Sequence, residues 1–163
     1  RSTLFPYTTL FRSHKGKGAT MLMIGAILMF ICHMTFALVP LTPAIAFSAI
    51  ILLGLSFSLV PAALWPSVPK LVDNRYMGSA YATIFWIQNL GLMAFPMIIG
   101  WVLNKVNPGV GEAIKAGEHV SYNYTVPMLI FASLGVLAFL LAFWLKLEDR
   151  KKHYGLELPN IKK

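Results

Sequence analysis

The chain is laid out as long apolar stretches broken by short polar ones: no Asp, Glu, Lys or Arg occurs across residues 18–69, 77–104 or 119–145. A helix crosses a hydrocarbon core of about 30 Å with roughly 20 apolar residues, and buried helices of soluble domains rarely run that long. The first stretch holds two such lengths, split at Pro40 and Pro43, so the pattern predicts four membrane helices over residues 20–41, 44–69, 78–103 and 125–145. The turn between the first two leaves room only for a helical hairpin. The second span carries Pro61, Pro66 and Pro69 in its later half; each lacks an amide donor, so that end is expected to kink or loosen. A polar link, KLVDNRYMG, leads to the third span, and a loop over residues 104–124 leads to the fourth. The basic tail, residues 146–163, is expected to be helical at first and then disordered.

Composition strengthens this all-α, polytopic reading. The chain is 57% hydrophobic and 12% charged, against about 25% charged in soluble domains, too little to solvate a globular surface. The net charge of +8 would suit nucleic acid, but the basic residues sit at the ends of apolar runs and not along one soluble face, so no nucleic-acid partner is expected. They act as orientation signals. Lys15, Lys17, Lys70, Arg75, Lys146, Arg150, Lys151, Lys152, Lys162 and Lys163 fall on one side of a four-span arrangement, and Lys105 and Lys115 on the other. The excess predicts that both ends of this stretch face the cytoplasm. Trp101, Tyr122, Tyr124 and Trp144 lie near the expected interfaces, and Asn123-Tyr124-Thr125 forms a glycosylation sequon on the expected outer side.

Residues 1–13, RSTLFPYTTLFRS, match the in-frame translation of a common sequencing adapter at every position. They are set aside from fold reasoning; the competing view is a short amphipathic leader bounded by Arg1 and Arg12. On the adapter reading, residues 14–145 are the carboxy-terminal membrane part of a longer protein, and the missing amino-terminal helices of the same chain are among its partners.

Candidate chemistry is sparse. The spans contain no carboxylate, so a proton-carrying or ion-coordinating acid would have to lie elsewhere, or transport is uncoupled. Cys32 is the single cysteine, which leaves no disulfide framework or Cys-rich metal site. His33 beside it points about 100° away on a helix; no metal and no cofactor is expected. An intramembrane histidine is either a functional group or a neutral one bonded to a neighbouring helix. On the third span, Tyr81, Phe85, Gln88 and Leu92 form one helical stripe with Asn89 beside it. The stripe would line a cavity for a small-molecule substrate, or its amides would bond another helix. Trp65 lies between Pro61 and Pro66, where irregular backbone is tolerated if it lines a polar cavity; the alternative is an interfacial anchor close to Lys70. The pairs Gly54 with Ser58 and Gly78 with Ala82 are read as helix-packing sites.

The stretch LLGLSFSLVPAALWPSVPKLVDNRYMGSAYATIFWIQNLGL, residues 52–92, resembles the tenth and eleventh helices of a major facilitator superfamily member. Within it, ALWP at residues 63–66, GSAY at 78–81 and IQNLGL at 87–92 resemble the lysosomal dipeptide transporter branch and its bacterial relatives. The flank HKGKGAT is similar to the end of the superfamily's cytoplasmic loop motif, with Gly16 and Lys17 present and the acidic part missing. The resemblance implies helices nine to twelve of a twelve-helix fold, alternating access around a midplane site, and Trp65 facing the central cavity. The expected activity is secondary transport of a small organic solute, with peptide-like solutes favoured. The expected location is multi-pass in a bilayer, the inner membrane of a bacterium or the lysosomal membrane of an animal. A small four-helix exporter subunit and a non-transporting membrane scaffold are the alternatives. An enzyme is not expected, because no Ser, His and acid constellation can assemble within the spans.

Overall fold

The computed structural model describes residues 16–158. The adapter-like segment, His14, Lys15 and residues 159–163 of the tail lie outside the described residues. Helix α1 covers Gly18–Leu38 and α2 Pro43–Leu64. A 3-10 turn, Trp65–Ser67, joins α2 to the short α3, Val68–Leu71. A second 3-10 turn, Asn74–Tyr76, precedes α4, Met77–Val106; then come α5, Val110–Lys115, and α6, Thr125–Lys152. Four segments are long and apolar enough to cross a membrane: Gly18–Leu38, Pro43–Leu71, Asn74–Val106 and Thr125–Lys152. The described residues contain no strand.

Local chemistry sets the ends of these helices. Pro43 stands in the first turn of α2, where its missing amide costs nothing, and the Thr42 hydroxyl accepts from the Ile45 N–H at 3.4 Å. At the other end the prolines act as expected. Pro66 has no N–H with which to continue the ladder, the backbone tightens into the 3-10 turn, and the Ser67 hydroxyl donates to the Ala63 carbonyl at 2.7 Å. Helix α4 has 30 residues, about 45 Å at 1.5 Å per residue. It must tilt or reach into the headgroup layer, and its last turn carries Lys105, whose ammonium sits 4.8 Å from the Trp101 ring centre.

Helix α1 packs against both α2 and α6, and small residues occupy the seams. Buried positions recur every seven residues: Gly18, Gly25 and Cys32 on α1, Ala49, Ser56 and Ala63 on α2, Gly135, Ala142 and Asp149 on α6. That period keeps one narrow face toward a partner helix, and small side chains let backbones approach closely. A Cβ on Gly135 would stand 3.3 Å from the N, Cα and Cβ of Phe30. The Ser56 hydroxyl donates to the Gly25 carbonyl at 2.7 Å, and the Cys32 thiol donates to the Ala49 carbonyl at 3.2 Å. Large apolar groups point the other way: Phe47, Trp86, Met97 and Trp144 are all more than 60% exposed, as an element solvated by lipid requires. Helix α4 has no buried residue.

The structure corrects three expectations. A Cβ on Gly54 or Gly78 would meet nothing within 4 Å, so neither is a close helix crossing within the described residues; the crossings are at Gly25 and Gly135. His33 bonds its own helix, Nδ1–H to the Met29 carbonyl at 2.7 Å, and meets α6 only through its ring, 5.4 Å from that of Phe131. The tail does not trail away after α6. His153 turns the chain with φ 54° and donates its N–H to the Asp149 carbonyl at 2.8 Å. Residues 154–158 then fold back over the start of α1. Lys17, at a strained φ of 62°, donates its N–H to the Glu157 carbonyl at 3.1 Å, and Gly18 donates to Leu156 at 2.9 Å. The Glu157 carboxylate accepts from the N–H and hydroxyl of Thr20, both at 2.9 Å, capping α1 with a negative charge. Lys70 donates to the carbonyls of Gly155 and Leu158, both at 2.8 Å. Lys17, Lys70, Lys146 and the tail therefore share one end of the bundle.

Candidate functional site

The break in the second span places Trp65 on the 3-10 turn, where the next long helix, α4, can reach it. The indole is half-buried and lies against two rings of α4, with centroids 5.7 Å from Tyr81 and 5.0 Å from Phe85, tilted by 40° and 31°. The Tyr81 hydroxyl donates to the Trp65 carbonyl at 3.3 Å, bonding the loosened backbone to α4. Tyr81 and Phe85 are four residues apart, so they present neighbouring rings on one side of the helix. Phe85 remains 50% exposed. The result is an aromatic shelf with one open ring face, one indole donor and one phenol. Aromatic faces attract cations by roughly 0.5–2 kcal/mol and offer flat surfaces to planar amides.

The two amides of the expected stripe do not join this cluster. Asn89 donates from Nδ2 to the Phe85 carbonyl of its own helix at 2.8 Å, and Gln88 is exposed. Gln88 and Leu92 keep to the same face of α4 but lie about one and two turns beyond Phe85, past the reach of Trp65, and Leu92 is 65% exposed.

The opposite end of the molecule holds a polar clasp that the spacing of residues did not reveal. Asn107 is buried; its Nδ2 donates to the carbonyls of Leu103 and Asn123 at 2.9 and 3.1 Å, and its Oδ1 accepts from the Asn123 N–H at 2.7 Å. This ties the end of α4 to the approach to α6 and orders the sequon asparagine, whose Oδ1 accepts from the Thr125 N–H at 2.9 Å. Asp149 and Glu157 of the tail likewise carry no local signal that separates them from Glu148, the third acid of that basic segment.

Among the described residues no group of three or more His, Cys, Asp or Glu is arranged to hold a metal ion. Four long apolar helices, outward-facing large apolar side chains and small-residue seams define a polytopic α-helical membrane protein. Its sequence is similar to the lysosomal dipeptide transporter MFSD1, a major facilitator superfamily member. Identity is 37% over 89 residues with the Danio rerio protein, covering 55% of this chain and 19% of the relative. It is 35% over 100 residues with the Homo sapiens protein, covering 61% and 21%, and 41% over 56 residues with that of Gallus gallus, covering 34% and 13%. The chain thus spans about a fifth of the length of the curated relatives it matches. No protein-family model matches the chain, and no solved structure matches it significantly.

Proposed function

We propose that this chain is the carboxy-terminal part, helices nine to twelve, of a major facilitator transporter that moves a small organic solute by alternating access, with dipeptides the favoured class. The observation that carries the reading is the aromatic shelf. Trp65, Tyr81 and Phe85 meet where proline has broken a membrane helix, and irregular backbone at membrane depth is tolerated where it lines a cavity. Similarity to proteins named as dipeptide transporters supports the peptide-like class. A dipeptide brings a planar amide to stack on the indole and an amino group to lie over a ring. Asn89 and Gln88 would contribute only when another helix or the solute draws them off their present positions. Both ends of the stretch would face the cytoplasm, which the gathering of Lys17, Lys70 and Lys146 at one end supports.

The test is Trp65→Ala and Trp65→Phe in the parent protein extended to its natural start, with expression measured beside substrate affinity. Binding should weaken in the alanine variant by roughly 2- to 30-fold for a contact of about 0.5–2 kcal/mol and recover in part in the phenylalanine variant. Unchanged affinity in both removes Trp65 from the site.

A further inference from the structure

Where α1 begins and α6 ends, a cavity of about 580 Å³ is lined by Lys17, Lys146, Arg150 and His153 together with Asp149 and Glu157. Both carboxylates are engaged. Asp149 is buried and accepts from the Leu156 N–H at 3.0 Å, and Glu157 is held by Thr20 through both oxygens. Lys146 donates once, to the Thr20 hydroxyl at 2.7 Å, and an ammonium has three donors. Lys17 and Arg150 are exposed, and their side chains form no ion pair among the described residues. The cavity therefore holds more cation than its own acids satisfy.

Its depth matters as much as its charge. Gly18 is the first residue of the apolar α1, and Lys146 follows directly on the charge-free stretch of α6. The cavity therefore lies where hydrocarbon gives way to headgroups, at the level of the lipid phosphates.

We propose that this cavity binds a phosphate-bearing anion, with the Arg150 guanidinium forking onto two phosphate oxygens and Lys17 and Lys146 supplying further donors and charge. The tail turn is then part of the site, because Glu157 holds Thr20 and Lys146 in place and Gly155 forms the wall. The inference depends on membrane insertion of the four helices and not on the transport reading. One chemistry can arrive from two sources, the headgroup of an anionic phospholipid or inorganic phosphate.

The experiment is native mass spectrometry of the full chain released from detergent, with phosphatidylglycerol, phosphatidylcholine or inorganic phosphate added separately and in competition. Wild type retains phosphatidylglycerol over phosphatidylcholine, and the preference falls by roughly fivefold for each charge removed in Lys17→Ala and Arg150→Ala. Lys17→Arg keeps the charge and retains most of the preference, which separates binding from folding, whereas Arg150→Lys keeps the charge without the fork and loses part of it. Displacement by millimolar phosphate, or retention of phosphate itself, shows that the phosphate group alone suffices; selective lipid retention without displacement assigns the site to the headgroup. The proposal is overturned by equal retention of the two lipids with no phosphate bound, or by an equal loss in Lys151→Ala, which removes a charge outside the cavity.

Discussion

Replacement of Gly135 tests how closely the helices of this bundle must approach. A methyl group there would sit 3.3 Å from three atoms of Phe30, one of them the backbone nitrogen and one Cα. Such a contact is relieved only if the two helices part by a few tenths of an ångström. For Gly135→Ala two effects oppose each other. Alanine gains about 0.8–1.0 kcal/mol of helix propensity over glycine, and mild overpacking costs about 1–3 kcal/mol. The expected net change is small and destabilising. Gly135→Leu gains similar propensity but drives further carbons into a backbone that has no rotamer to change, so the overpacking cost dominates. A loss of about 1–3 kcal/mol corresponds to a midpoint lower by roughly 2–12 °C for a chain of this size. Thermal unfolding of detergent-solubilised variants, read by fluorescence-detected size exclusion, measures it. Gly78→Leu is the control, because a Cβ there meets nothing within 4 Å, and it should leave the midpoint of this chain almost unchanged. If Gly135→Leu unfolds at the wild-type midpoint, the α1–α6 seam is not the close contact described.

Other outcomes follow from the same packing. Cys32 is 0% exposed and donates its thiol to Ala49, so maleimide should fail to label the folded chain in micelles and should label it fully in dodecyl sulfate with heating. Asn107→Ala removes both arms of the clasp to Asn123; it should destabilise by about 1–3 kcal/mol and speed proteolysis of the loop between α5 and α6. Glu157→Ala takes away the cap on α1, at a cost of about 0.5–2 kcal/mol. Protease should then cut the exposed basic turn after Lys152 faster, while the membrane helices stay intact.

The helices were legible because charge is excluded from long stretches of this sequence, a signal that survives any detail of packing. The broken end of the second span was legible too, since the absence of amides at Pro61 and Pro66 acts locally. Seams were not: Gly54 and Gly78 look as suited to close packing as Gly25 and Gly135, and only the arrangement of neighbouring helices distinguishes them. The seven-residue recurrence of Ala49, Ser56 and Ala63 was present in the sequence, but small residues are scattered through every span. At the candidate site, helical spacing correctly put Tyr81 and Phe85 on one side of α4; their meeting with Trp65 is a tertiary contact that spacing cannot encode. Asn89 illustrates a general limit, because a short amide can satisfy itself on the carbonyl one turn back. The folded tail escaped notice for a related reason. Its order comes from Glu157 and Lys70 reaching elements far away in sequence.

Alternating-access carriage of peptide-like solutes is the role proposed for these helices. Counterflow is the decisive assay: the full-length protein is reconstituted in proteoliposomes loaded with unlabelled dipeptide, and entry of a labelled dipeptide is followed. Entry should saturate, transiently overshoot equilibrium and be accelerated by dipeptide inside, with both effects reduced in Trp65→Ala. Entry that neither saturates nor responds to internal dipeptide, in well-folded protein, would contradict it.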